Sequence, residues 1–239
     1  MKLSVVIPTL GESSDITGAI ESAAAPGVEI VVVDGGSRDG TVELARAAGA
    51  RVEPSERGRA GQLQVGVEAT HGDVVVFLHA DTRLPAHWGA AIEHALERRD
   101  RAGGAFRFHF AAAVGQPGGE GRCSASSLAD RAALSIVEWG ARLRTACFAL
   151  PYGDQAIFVR RSVLEAIGGV PRVPIMEDLD LVKAMKSQGG LVILTIPVTT
   201  SPRRYLVRGV FRTMFRHWLA AAAWTMGVDR ERLAAWYGR

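Results

Sequence analysis

The chain has 239 residues, 48% hydrophobic and 22% charged, which suffices for one large α/β domain or two small ones and excludes a disordered chain. Two cysteines, Cys123 and Cys147, with no CxxC pattern, exclude a disulfide framework or a zinc site and suit a reducing, cytoplasmic setting. The net charge of +3 divides into +6 for residues 203–239 and −3 for the rest, and the longest uncharged stretch of that tail, Trp218 to Val228, has 11 residues, against ~20 for a membrane-spanning helix.

In chain order, Leu3 to Ile7 reads as a strand stopped by Pro8; its apolar run is too short for a secretory leader. Glu12 to Ala25 suits a helix, and Glu29 to Val33 a second strand ending on Asp34. The turn GGSRDGT at 35–41 follows, with Asp39 or Thr41 as cap for a helix from Val42 to Ala48. Strand and helix alternate again through Ala50 to Glu53, Gly61 to Thr70, a strand at 74–78 and a helix from Ala86 to Arg99. Beyond residue 100 the rhythm changes. Gly104 to Phe110 alternates like a half-exposed strand, 116–121 is a Gly-rich loop, and residues 129–143 place apolar side chains on one helical face. Trp139 on that helix is expected in the core. Tyr152-Gly153-Asp154-Gln155 leads into a strand at Ala156 to Val159. Pro171 to Ile175 is extended, Met176-Glu177-Asp178 opens a helix to about Ser187, and Gly189-Gly190 ends it before a strand at Leu191 to Ile196.

The stretch GDVVVFLHADT at 72–82 organises the chain. Val74 to Leu78 is a short, uncharged, β-rich run of the kind buried on both faces of a parallel sheet. Asp81 and His79 follow at its carboxyl end, where open α/β sheets bind ligands. On one side of an extended segment this pair could hold a divalent cation; the alternative for Asp81 is a cap on the helix near Pro85. Asp34, Asp154 and the Glu177-Asp178 pair also fall at strand ends or helix starts, and a parallel sheet gathers such ends into one crevice. The phosphate loops GxGxxG and GxxxxGK[ST] are both missing, so a nucleotide here needs a divalent cation held by Asp81, with Arg59 or a tail arginine nearby, for its phosphates. Asp178, in the first turn of a helix, meets the positive end of the dipole. It either gains stability there or serves as a general base toward a hydroxyl.

Four motifs together, VVIPTLGE at 5–12, VVVDGGSRDGT at 31–41, GRAGQLQVGVEATHGDVVVFLHADT at 58–82 and MEDLDLVKAMKSQGG at 176–190, resemble glycosyltransferase family 2, in particular its compact bacterial members. The resemblance covers about residues 3–200. It implies the GT-A fold: α/β, Rossmann-like, with a mixed, mostly parallel sheet flanked by helices, a nucleotide half at 1–100 and an acceptor half at 101–202; residues 203–239, beyond the resemblance, read as a basic amphipathic helical tail. It assigns Pro8, Glu12, Asp34, Ser37, Arg59, Gln62 and Asp73 to the nucleotide, with Asp34 reading the base. Asp81 takes the metal position of the Asp-x-Asp motif for Mn²⁺ or Mg²⁺, with His79 in place of the first aspartate. Asp178, beside Glu177, is the implied catalytic base of an inverting transfer, and Gly153, Asp154 and Gln155 face the sugar or acceptor. The implied partners are a nucleoside-diphosphate sugar, a UDP-sugar being favoured, and a hydroxyl acceptor.

In the tail, Arg204, Arg208, Arg212 and Arg216 recur every fourth residue, and Val207, Val210, Phe211, Met214 and Trp218 oppose them. One helix over 203–225 is expected, docked on its own domain, on a second subunit to form a homodimer, or on the inner face of a membrane. His217 reads as an ordinary helix residue. Nucleic-acid binding is not expected. The competing functions are a nucleotidyltransferase, which lacks support because the first loop is poor in Gly, Lys and Arg, and a sugar-nucleotide sensor that binds without turnover.

Overall fold

The structure is a computed structural model and describes residues 1–111, 128–148 and 150–238; the loop expected at 116–121 lies outside them. Its strands are β1 (Leu3–Thr9), β2 (Glu29–Asp34), β3 (Arg51–Pro54), β4 (Val74–Phe77), β5 (Thr82–Arg83), β6 (Arg101–Phe110), β7 (Ile157–Arg160) and β8 (Gly190–Thr200). They form one sheet in the order β3-β2-β1-β4-β7-β6-β8-β5. β1 pairs in parallel with β2 and β4, and β2 with β3. β7 then runs antiparallel to both β4 and β6, whereas β6 and β8 are parallel. The sheet is therefore mixed and mostly parallel, as expected.

The unbroken apolar runs follow from burial on both faces. Along β1, Val5 and Ile7 enter one core with Ile16 and Ile20 of α1 (Ile16–Ala23) and Trp88 and Ile92 of α4 (Trp88–Ala95). Val6, pointing the other way, joins Val31, Val33, Leu63 and Val67 in a second core, together with Leu164, Leu181 and Met185. Val31 and Val33 come from β2, and the others from α3 (Arg59–Ala69), α6 (Arg161–Ala166) and α7 (Glu177–Gln188). The crossover helices thus sandwich the sheet, and α2 (Thr41–Ala47) completes the first half.

Several boundaries differ from expectation. The first helix begins at Ile16, because residues 12–15 turn back on the Glu12 carbonyl, which accepts from the amides of Asp15 and Ile16. The last strand runs on to Thr200, since its far end finds partners in β6 and β5. The segment 171–175 forms no strand.

The tail forms three helices rather than one: α8 (Arg203–Arg208), α9 (Val210–Thr225) and α10 (Arg230–Tyr237). Gly209, at φ +85, breaks the expected stripe between α8 and α9. Tyr205 and Val210 dock with Phe108 and Phe110 of β6 and Leu134 and Val137 of α5 (Leu128–Phe148). Val207, Phe211 and Trp218 remain exposed, so the apolar face is only partly docked. No helix among the described residues is long and apolar enough to cross a membrane.

Gly103 and Gly104 let β6 lie close between its neighbours: a Cβ on Gly104 would overlap the Val192 carbonyl of β8, and one on Gly103 the Phe158 carbonyl of β7. Both obstacles are backbone, which cannot swing aside. Gly104→Ala is expected to cost about 3 kcal/mol of stability, read from urea denaturation.

Candidate active site

The carboxyl ends of β1 and β2 are stitched together by Gln62 of α3, whose amide nitrogen donates to the carbonyls of Thr9 (2.8 Å) and Val33 (2.9 Å). Gln62 is buried and shapes the crevice from behind. Asp34, also buried, ends β2 and organises the loop after it. Its carboxylate accepts from the amides of Gly36 and Ser37, both at 2.9 Å, and from the Ser37 hydroxyl. That hydroxyl accepts in turn from the amide of Gly11. Glu12 donates its amide to Thr41, and its carboxylate lies 3.9 Å from Arg203. Pro8 stands beside Val33 in the register of the two strands. Asp39 clamps the same loops from outside: its carboxyl is pulled down to about 2, chiefly by the Thr41 hydroxyl.

Beyond β4 the chain turns instead of staying extended, with the Thr82 amide donating to the His79 carbonyl. The turn still brings His79 Nδ1 to 4.0 Å from Asp81 Oδ1. Asp81 caps no helix, since α4 starts at Trp88. Its carbonyl accepts from the Ser201 amide and so ties the end of β8 to the turn. The Asp81 carboxylate is an oxygen donor of the kind that suits Mn²⁺ or Mg²⁺, whereas the His79 imidazole beside it is a softer donor, less suited to Mg²⁺. Among the described residues no group of three or more His, Cys, Asp or Glu forms such a cluster. The pair therefore fits an ion that takes further ligands from a diphosphate and water, a habit of Mg²⁺ sites.

Arg59, the first residue of α3, reaches across to both halves. Its guanidinium touches His79 Nε2, and its Nε lies 3.0 Å from Glu177 Oε1. That Nε–H is not aimed for a hydrogen bond, so the contact is an ion pair held by charge. Glu177 is buried, and burial raises its carboxyl above the usual range; Arg59 opposes the rise and Asp178 adds to it. Met176, just before, adopts a left-handed conformation at φ 65, an arrangement that concentrates at functional sites. Asp178 does more than meet the helix dipole: its Oδ2 accepts from the Gly153 amide at 2.8 Å, and its Oδ1 from the amide of Leu179.

Gly153 has no side chain because none fits: a Cβ would overlap the Arg59 guanidinium and come within 3.0 Å of His79 Nε2. Asp154 beside it lines a cavity of about 560 Å³. Two expected residues lie elsewhere. Gln155 is buried, donating to the Phe106 carbonyl and accepting from the Tyr152 amide; it fastens the loop instead of facing a sugar. Asp73 precedes β4, at the opposite edge of the sheet, where it accepts from the Lys2 amide. A full strand separates it from Asp81, so the structure does not bring it to the crevice. Arg203, one of the tail arginines, joins Glu12, Asp15 and Ser14 beside the first loop. No spacing in the sequence signals that long-range contact. Trp139, expected in the core, is 64% exposed.

The raised Glu177 carboxyl has a consequence for stability. Folding takes up a proton there, so the stability it contributes is complete below its ordinary value of 4.5 and is lost as pH rises through the raised value. Thermal midpoints of wild type and Glu177→Gln, followed from acid to neutral pH, should diverge above 4.5 as the wild type falls relative to the variant. A constant difference would place Glu177 at its ordinary value.

Comparison with known proteins places the chain in a family. The sequence profile of glycosyl transferase family 2 matches residues 4–167. Glucosyl-3-phosphoglycerate synthase of Mycobacterium tuberculosis is 37% identical over 96 residues, a stretch covering 35% of this chain and 30% of that enzyme. Glycosyltransferase AglE of Haloferax volcanii is 31% identical over 98 residues, covering 36% and 32%. The chain thus matches about a third of the length of these curated relatives. The crystal structure of the M. tuberculosis synthase with Mn²⁺, UDP and glucosyl-3-phosphoglycerate has a TM-score of 0.60 at 21% identity, over 89% of this chain and 78% of that one. Its complex with Mn²⁺, UDP-glucose and phosphoglyceric acid has a TM-score of 0.59 at 22% identity, over 82% and 70%. With the profile matching more than half of the chain and the solved structures sharing its fold, the chain belongs to glycosyl transferase family 2 and has the GT-A fold.

Proposed function

We propose that the protein transfers a sugar from a nucleoside-diphosphate sugar, a UDP-sugar being favoured, to an acceptor hydroxyl. The observation that carries this is the convergence of His79, Arg59, Glu177, Asp178 and Gly153, drawn from four segments, at one crevice. Similarity to proteins that bind UDP-glucose with Mn²⁺ and UDP with Mg²⁺ supports the donor class. Residues 1–100 serve the nucleotide and 101–202 the acceptor.

On this reading Asp34 and Ser37 shape the base pocket beside Pro8 and Glu12. Arg59 offers a fixed positive charge near the diphosphate, oriented by Glu177. Asp81 and His79 hold the divalent ion, which when bound offsets charge on the leaving diphosphate. Asp178 Oδ2 retains lone-pair capacity beyond its bond to the Gly153 amide and takes the acceptor's proton. The acceptor oxygen forms a bond to the anomeric carbon as the bond from that carbon to the diphosphate oxygen breaks. A displacement of this kind inverts the anomeric centre.

Donor hydrolysis across UDP-, GDP- and dTDP-sugars, with and without Mn²⁺, tests the reading. One nucleoside diphosphate should be released in a metal-dependent way, and Asp81→Ala and Asp178→Asn should each lower the rate by about 100-fold or more. Nucleotide binding without turnover, even with acceptors supplied, would identify a sensor. NMR of the transferred sugar decides between inversion and retention.

Gly153→Ala separates the site from the scaffold. The obstructing Arg59 atoms are the end of a flexible side chain, so the stability cost should be only about 1 kcal/mol. Donor hydrolysis should nevertheless fall by about 100-fold, because Arg59 is displaced from Glu177 and His79.

A further inference from the structure

The cavity of about 560 Å³ lies between α5, the Tyr152–Gln155 loop and α9, within the usual size of small-molecule sites, about 300–1,000 Å³. Its floor adjoins the proposed chemistry. Tyr152 and Asp154 flank Gly153, and Leu179 follows Asp178; all three line the cavity. Its walls are apolar, with Phe108, Met214 and Trp224 among them, and no Lys or Arg is found among the described lining residues. Phosphoglyceric acid, which the mycobacterial synthase binds, carries a carboxylate and a phosphate, and recognition of such groups calls for cationic side chains. Among the described lining residues His217 alone can carry positive charge.

Its rim is unusual for a surface facing water. Trp139 of α5 and Trp218 of α9 line the cavity and are 64% and 78% exposed. The exposed face continues along α9 through Phe215 and Phe211, at helical spacing from Trp218. Such a patch marks an interaction surface, and tryptophan suits the boundary between water and lipid. α9 has no acidic residue, Arg212 on it is exposed, and residues 203–239 carry +6, which complements anionic headgroups.

We propose that this cavity is the acceptor site, that it holds the apolar body of an uncharged alcohol drawn from an anionic lipid surface, and that it presents the hydroxyl to Asp178. The proposal rests on the glycosyltransferase reading above. Farnesol serves as the probe alcohol, and tryptophan fluorescence as the readout, since three tryptophans line the cavity. The full chain should show saturable quenching by farnesol, unaffected by 3-phosphoglycerate. Ala221→Phe, which fills the cavity, should abolish it while leaving UDP affinity by calorimetry unchanged. Sedimentation with vesicles of equal phosphatidylglycerol and phosphatidylcholine should carry the wild type down. Trp218→Ser should weaken that association by about tenfold, with its circular dichroism and UDP affinity retained. Quenching that persists in Ala221→Phe, competition by 3-phosphoglycerate, or UDP binding without farnesol binding overturns the acceptor class. A stable dimer dispersed by Trp218→Ser, or no preference for anionic vesicles, overturns the lipid surface. If UDP itself fails to bind, the donor reading falls instead.

Discussion

The ion pair between half-buried Arg59 and buried Glu177 is the constraint on which the site depends. Removing Glu177 from water is costly, as its raised carboxyl shows, and a buried carboxylate is tolerated only beside a well-placed cation. Arg59 opens α3 in the first half of the chain, and Glu177 opens α7 in the second. Their attraction therefore joins the two halves across the crevice. The same guanidinium touches His79 and occupies the space a Gly153 side chain would take, and the Gly153 amide donates to Asp178. One charge thus sets the positions of four groups.

Sheet topology explains how segments so far apart in sequence reach one edge. β1, β2 and β4 point their carboxyl ends the same way, and β7 enters antiparallel between β4 and β6. An antiparallel strand contributes its preceding loop to the edge where its neighbours contribute their following loops. Gly153 and Asp154, just ahead of β7, consequently face the His79–Asp81 turn. α7 leads into β8, which is parallel to β6, so the start of that helix returns to the same edge. The docked tail then packs on β6, with Tyr205 and Val210 against Phe108 and Phe110.

Composition, apolar periodicity and turn chemistry were enough to identify the β-α alternation, the central buried strand and the recurrence of acidic residues at strand ends. These are local properties, since a strand buried on both faces must be apolar throughout and helix starts favour particular side chains. Long-range pairing was not legible. Gln155 and Asp73 sit in motifs that read as functional, yet one is consumed by backbone hydrogen bonds and the other faces the wrong edge. The tail's fourfold arginine spacing suggested a single stripe, and Gly209 interrupts it.

The sequence by itself determined the fold class, the family and the chemistry available at the crevice, because these follow from residue type and order along the chain. Only the tertiary structure decided that Arg59 lies between His79 and Glu177, that Asp178 is held by the Gly153 amide, and that an apolar cavity without described Lys or Arg adjoins them. Each of those contacts joins residues from different segments, and whether they meet depends on the direction of β7 and the docking of α9. No periodicity within a single segment encodes either.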